Sequence, residues 1–149
     1  MNILLADDHA LFRDGLAHWL KQLETSVNIQ FAINWQSLAD QVIQPFDLIL
    51  IDLHMPGMKG AASVSVIHEM TNHSPILVVS ANQQPDTIHA CFQAGASGYI
   101  CKTASGKEIL VAAAEIIGGG KYIPEEYKLH NDTMSPNLST KQLLLLSYL

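Results

Sequence analysis

The run Leu48-Ile49-Leu50-Ile51-Asp52 narrows the choice of fold more than any other stretch of the sequence. Four consecutive apolar residues without polar alternation suit a strand buried on both faces of a parallel sheet. The run stops at a single acid. Met55-Pro56-Gly57 follows at once, breaking regular structure and leaving the strand end open. Ligands of open α/β sheets bind outside the carboxyl ends of the strands. Asp52 therefore stands where a nucleophile or a metal ligand would stand. An acid in that place also caps helices, so its meaning depends on what else reaches the same edge.

The rest of the chain supplies matching units. Residues 2–6 form a short apolar run that ends in Asp7-Asp8. Helical spacing through Phe12, Leu16, Trp19, Leu20 and Leu23 predicts a helix over 10–23. Residues 27–33 alternate, as expected of a strand near the sheet edge. Asn34 suits the N-cap of a short helix carrying Leu38, Val42 and Ile43. A helix over 60–70 is ended by Asn72, Ser74 and Pro75. Residues 76–79 form a fourth apolar strand, which ends in Ser80. Pro85 fits the first turn of a helix to about residue 94. A fifth strand over 97–101 ends at Lys102, and Ser105 can cap a last helix through Ile109, Leu110, Ala113, Ile116 and Ile117. Gly118-Gly119-Gly120 terminates it. Strict strand–helix alternation predicts a doubly wound α/β fold: a five-stranded parallel sheet, helices on both faces, right-handed crossovers.

Residues 1–120 thus read as one domain of ordinary size. Residues 121–137 turn polar around Pro124 and Pro136 and read as a linker. Residues 138–149 look like a new helix start, with Ser139 and Gln142 at capping-box spacing before a leucine run. The net charge of −6 argues against a free-standing nucleic-acid binder, which usually carries a basic patch. Cys91 and Cys101 form neither a CxxC motif nor a disulfide framework, so a reducing cytoplasm is the expected compartment. The opening apolar segment is too short for a signal peptide or a membrane span, and so is Leu143-Leu144-Leu145-Leu146.

Every strand of a parallel sheet presents its carboxyl end on one edge. Asp7, Asp8, Asp52, Ser80 and Lys102 should therefore converge there. Packed carboxylates repel one another unless a cation joins them. Mg²⁺ fits, since it takes one or two carboxylates, waters and phosphate oxygens. Lys102 supplies a second cation, and Ser80 can donate to a phosphoryl oxygen. Such a site would offset charge on a transferring phosphoryl group while a carboxylate attacks it.

Four segments carry a resemblance: Ala6-Asp7-Asp8-His9, Ile51 to Gly57, Val79-Ser80-Ala81 and Gly98-Tyr99-Ile100-Cys101-Lys102. Together they resemble the signature segments of bacterial two-component response-regulator receiver domains, which have a flavodoxin-like fold. The Asp-Asp-His opening, Gly118 to Tyr122, and Leu138-Ser139-Thr140-Lys141-Gln142 resemble the LuxR-type helix-turn-helix branch. The resemblance implies that Asp52 accepts a phosphoryl group from a sensor histidine kinase. It implies Mg²⁺ on Asp8, Asp52 and the backbone carbonyl of His54, with Asp7 acting mainly through a bound water. Ser80 and Lys102 would grip the phosphoryl oxygens, and Tyr99 would be the switch aromatic that turns inward when Ser80 moves. The switched face would control homodimerisation or domain release. DNA would be bound only through a C-terminal domain that continues beyond residue 149, so specific DNA binding by this chain itself is not expected. The chain departs from the family at Ser80, where threonine is commoner, and at Thr103, where many receivers have proline. His54 occupies the most variable place, two residues after the acceptor.

Two other functions compete. An aspartyl-phosphate phosphatase would be expected to carry its nucleophile on the first strand in a DxD pattern, which Asp7-Asp8-His9 lacks. A mononucleotide binder or unphosphorylated pseudo-receiver fits poorly with an acid cluster and a complete acceptor set. His68-Glu69 with His73 resembles the zinc motif HExxH, but the second histidine is one position late to share a helical face. Gly95, Gly98, Lys102 and Thr103 faintly resemble a P-loop, yet a strand rather than a helix holds Lys102.

Overall fold

The computed structural model describes residues 1–125, 127 and 128. The elements are β1 (Asn2–Ala6), α1 (Ala10–Leu20), β2 (Asn28–Ala32), α2 (Trp35–Gln41), β3 (Leu48–Ile51), α3 (Ala61–Met70), β4 (Ile76–Ser80), α4 (Pro85–Gln93), β5 (Gly98–Cys101) and α5 (Gly106–Ile117). Among the described residues the strands form one parallel sheet in the order β2-β1-β3-β4-β5. The expected doubly wound fold is present, and the strand order reverses between β1 and β3.

Alternate residues of each strand feed opposite layers, an upper one with α2, α3 and α4 and a lower one with α1 and α5. Leu4, Ile49, Ile51, Ile76, Val78 and Tyr99 pack with Leu38, Val64, Ile67 and Ile88 of α2, α3 and α4. Ile3, Leu48, Leu50, Leu77 and Ile100 pack with Leu16 and Leu20 of α1 and Ile109, Ala113 and Ile116 of α5. Helices α1 and α5 therefore share one layer and touch each other. All four residues of β3 are fully buried, the reason its sequence shows no alternation. Each such side chain contributes about 1.5–3 kcal/mol of burial.

Side-chain caps fix the starts of α2 and α5. Asn34 accepts from the Ser37 N–H, and the Ser37 hydroxyl accepts the Asn34 N–H in return. Ser105 and Glu108 form the same reciprocal pair at α5. Helix α1 ends earlier than its periodicity predicts. The N–H groups of Gln22 and Leu23 donate to Trp19 and Leu20, a tighter i→i−3 turn that closes the helix. Leu23 still packs on the lower layer from that turn.

The loop after Asp52 depends on Gly57. Its φ is +88°, and a Cβ there would lie 2.7 Å from the Trp35 Cβ. The Trp35 N–H donates to the Pro56 carbonyl, so α2 and the loop are fixed to each other. Gly57→Ala is expected to destabilise by more than about 1 kcal/mol, from the left-handed backbone and the clash together. Urea unfolding at equal protein concentration checks this; an unchanged midpoint would show that the loop relaxes freely.

The segment expected as a linker begins against the domain. Tyr122 forms a parallel bridge with Gly98: its N–H donates to the Ser97 carbonyl, and its carbonyl accepts the Tyr99 N–H. Tyr127 follows onto α4, its hydroxyl 2.8 Å from His89 Nδ1 and its ring stacked on Phe92. The remainder of the linker and the expected helix start over 138–149 lie outside the described residues. No helix of the described residues is long and apolar enough to cross a membrane.

Candidate functional site

The register builds the site. Ala6 lies opposite Ile51, so Asp7 and Asp52 leave adjacent strands side by side. Ser80 lies opposite Cys101, which sets Lys102 one residue further on. The backbone ladder continues into these residues: the Asp7 N–H donates to Ala32, Asp52 to Ala6, and Lys102 to Ser80. The functional side chains thus start from a backbone that cannot drift.

Asp7 and Asp52 are buried, with side chains only 2% exposed. Asp7 Oδ1 accepts the His9 N–H at 2.8 Å, and Asp52 Oδ1 accepts the His54 N–H at 2.9 Å. Lys102 Nζ bridges the two acids, 2.9 Å from Asp7 Oδ2 and 3.0 Å from Asp52 Oδ2. Burial alone pulls the Lys102 ammonium down. Its hydrogen bonds to Asp7 and Asp52, with their charges, outweigh that and hold it above the ordinary lysine value. Asp8 is more exposed and lies 3.4 Å from His9 Nδ1. His54 is exposed, beside a cleft that Asn82, Asp86 and Thr87 also line.

Asp7, Asp8, Asp52 and Lys102 come together at the edge, while Ser80 and Tyr99 meet at Asn82. Ser80 is fully buried and turns its hydroxyl to accept the Asn82 N–H at 3.1 Å. Tyr99 was expected to turn inward when Ser80 moves; it already lies inward. Its ring is 1% exposed and its hydroxyl donates to the Asn82 carbonyl. Burial raises the Tyr99 hydroxyl above the usual tyrosine range, against an opposing contribution from Ser80. The physical reason is the pleat: Tyr99 falls on the face of β5 that feeds the upper layer.

Sequence reasoning missed three participants. His9 Nδ1 lies 2.8 Å from Lys102 Nζ and 3.2 Å from Asp7 Oδ1. Phe12 sits under the ammonium, 4.8 Å from ring centroid to Nζ. Asn82 joins Ser80 to Tyr99 and also accepts the Gln84 N–H through its side chain. His9 and Asn82 lie one and two residues after predicted site residues, a proximity that could have drawn attention to them.

The donor set suits a hard divalent cation. Ligand atoms of Asp7, Asp8, His9 and Asp52 all lie within 4.8 Å of one another. The three carboxylates meet a single ammonium, which leaves excess negative charge for an ion to neutralise.

A family model for the response regulator receiver domain matches residues 3–114. The chain belongs to this receiver family. Among its relatives is the probable transcriptional regulatory protein NarL of Mycobacterium tuberculosis, 30% identical over 121 residues, 80% of this chain and 56% of that protein. Response regulator UvrY of Escherichia coli is 29% identical over 133 residues, 85% of this chain and 58% of that one. The solved receiver domain of the M. tuberculosis NarL matches with a TM-score of 0.63 at 28% identity, covering 79% of this chain and 96% of that structure. NarL- and UvrY-type regulators are the LuxR branch to which the sequence pointed. The receiver chain spans a little over half the length of these curated relatives.

One cluster of the receiver lies elsewhere. Helical spacing alone separates His68 and Glu69 from His73, which falls one position late for a shared helical face. The structure brings them together by another route. His73 is not on α3; Asn72 and His73 take left-handed conformations, φ 55° and 72°, and fold the chain back.

Proposed function

We propose that this receiver accepts a phosphoryl group on Asp52 from a sensor histidine kinase and thereby switches the output of a longer transcriptional regulator. The observation that carries the reading is the buried pair Asp7 and Asp52 bridged by Lys102 at the carboxyl edge, on the flanks of the strand-order reversal.

Asp52 is fixed through Oδ1 by the His54 N–H, so its orientation is set before a donor arrives. One carboxylate oxygen attacks phosphorus, the bond from phosphorus to the donor atom breaks, and the leaving group keeps the electron pair. The product is an acyl phosphate. Lys102 lies where it can follow the added charge from Asp52 to a phosphoryl oxygen. Asp8, Asp52 and the His54 carbonyl would hold Mg²⁺, with Asp7 acting through a bound water. Bound there, the ion would neutralise phosphoryl charge that Lys102 alone leaves uncompensated.

The relay to the surface runs through hydrogen bonds. Ser80 holds the Asn82 N–H, the Asn82 carbonyl holds the Tyr99 hydroxyl, and the Tyr99 N–H is donated to Tyr122. If Ser80 reorients toward a phosphoryl oxygen, it releases Asn82, frees Tyr99 and alters the bridge at Tyr122. A ligand that favours one of two such packings shifts their populations. The receiver acts as a phosphoacceptor that assists only its own phosphorylation and dephosphorylation, in the cytoplasm. The switched receiver face would control homodimerisation or domain release, and DNA binding would belong to the longer regulator.

Incubation with acetyl phosphate and Mg²⁺ tests the reading by intact mass. One retained phosphoryl group, blocked by EDTA, is expected. Continuous consumption of the donor would make the protein a phosphatase, and no reaction would make it a pseudo-receiver.

A further inference from the structure

We propose that His68, Glu69 and His73 form a binding site for a divalent transition-metal ion of the zinc class. The site is independent of the phosphoryl reading. Helix α3 runs back against the parallel strands, so its C-terminal end lies at the sheet edge opposite Asp52.

The geometry begins with the turn. The His73 N–H donates to the His68 carbonyl at 2.8 Å, which curls the chain over the helix end. The two imidazoles then stack, centroids 4.3 Å apart and planes within 14°. His73 Nε2 lies 3.3 Å from Glu69 Oε2. One donor atom from each of the three side chains falls within 4.8 Å of the others. Tetrahedral zinc with bonds of about 2.0–2.1 Å needs donors roughly 3.3 Å apart with each ring's in-plane lone pair aimed at the ion, so the His73 ring turns out of the stack as the set closes. Glu69 and His73 can supply that closure by rotation, because their side chains are 73% and 61% exposed.

His68 is the fixed member. It packs on Gly95 so closely that a Cβ there would fall 2.5 Å from His68 Nδ1. Burial first, then the neighbouring His73, pull the His68 imidazole below its usual value, against an upward push from Glu69. Two imidazoles and a carboxylate match zinc's preferences and leave a position for water. Magnesium, which prefers oxygen ligands, is poorly served by the same set. The negative end of the α3 dipole also favours a cation at this place.

The test uses the untagged protein with Mg²⁺ in excess, titrated with zinc chloride by calorimetry and by histidine ring NMR. About one equivalent should bind, and among the seven histidines the rings of His68 and His73 should move first. Losing even an outer-shell partner of a metal site costs ~10–100-fold in affinity. His68→Gln and His73→Gln should each lose at least that much, and His73→Gln should still accept a phosphoryl group. Movement of the His9 ring instead would place the ion at the strand ends and overturn the proposal. Equal zinc affinity in the wild type and both variants would overturn it too, leaving an i,i+4 ion pair only.

Discussion

Asp52→Asn is expected to abolish phosphoryl uptake from acetyl phosphate, while the fold remains intact. Asparagine keeps the shape and can still accept the His54 N–H that Asp52 Oδ1 accepts. It lacks the nucleophilic charge. Asp7 and Asp8 are nearby carboxylates, yet neither should substitute. Asp7 is held as Asp52 is, one oxygen on the His9 N–H and the other on Lys102, but it follows β1 rather than the central β3. Asp8 does not lie at the end of the central strand. Intact mass and peptide mapping after Mg²⁺ and donor decide the matter. Phosphoryl uptake by Asp52→Asn at the wild-type rate would assign the acceptor elsewhere. A fall of only two- or threefold would be equally damaging, because loss of a nucleophile is not a partial effect.

Lys102→Ala should cost about 3 kcal/mol in metal-free buffer at neutral pH. Removing one partner of a buried ion pair leaves an uncompensated charge, worth about 3–5 kcal/mol, and the lower end applies because Lys102 keeps 16% side-chain exposure. That is a large share of the 5–15 kcal/mol typical of a whole domain. The pH dependence has a definite sign. The folded-state pKa of Lys102 is raised. Its contribution is therefore complete below the unfolded lysine value of about 10.4 and is lost as pH rises through the higher folded value. Mg²⁺ should restore more stability to the variant than it adds to the wild type, because a second cation replaces the first. Urea unfolding with and without Mg²⁺ measures both effects. The variant should also show a weaker change in amide exchange at Tyr99 and Tyr122 on adding beryllofluoride. A variant as stable as the wild type without metal would remove Lys102 from the centre of the charge balance.

The fold was legible because four of the five strands are short, apolar and ended by a polar residue of chemical use. Leu48 to Asp52 alone implied a central strand, and four further runs gave its partners. The acids, Ser80 and Lys102 were legible for the same reason: parallel strands bring their ends to one edge. What was hidden depends on side-chain direction and on turns. The inward placement of Tyr99 follows from the pleat and from a carbonyl at Asn82, neither visible as a motif. The His68–His73 stack depends on two consecutive left-handed residues, and helical spacing gives no warning of them. The docking of Tyr122 on Gly98 was masked by polar, proline-containing surroundings that read as linker. The early end of α1 reflects a local hydrogen-bond choice at Trp19 and Leu20, which apolar periodicity does not encode.

The contact between α1 and α5 has a consequence for how the protein is made. Synthesis delivers Leu16, Leu20, Leu48 and Leu50 long before Ile109, Ala113 and Ile116, yet all of them belong to one layer. The lower layer therefore stays open on the ribosome until α5 emerges, at about 5–20 residues per second. During that interval an apolar sheet face is available to any passing surface. Such late closure makes residues 106–117 the segment on which cooperative folding waits.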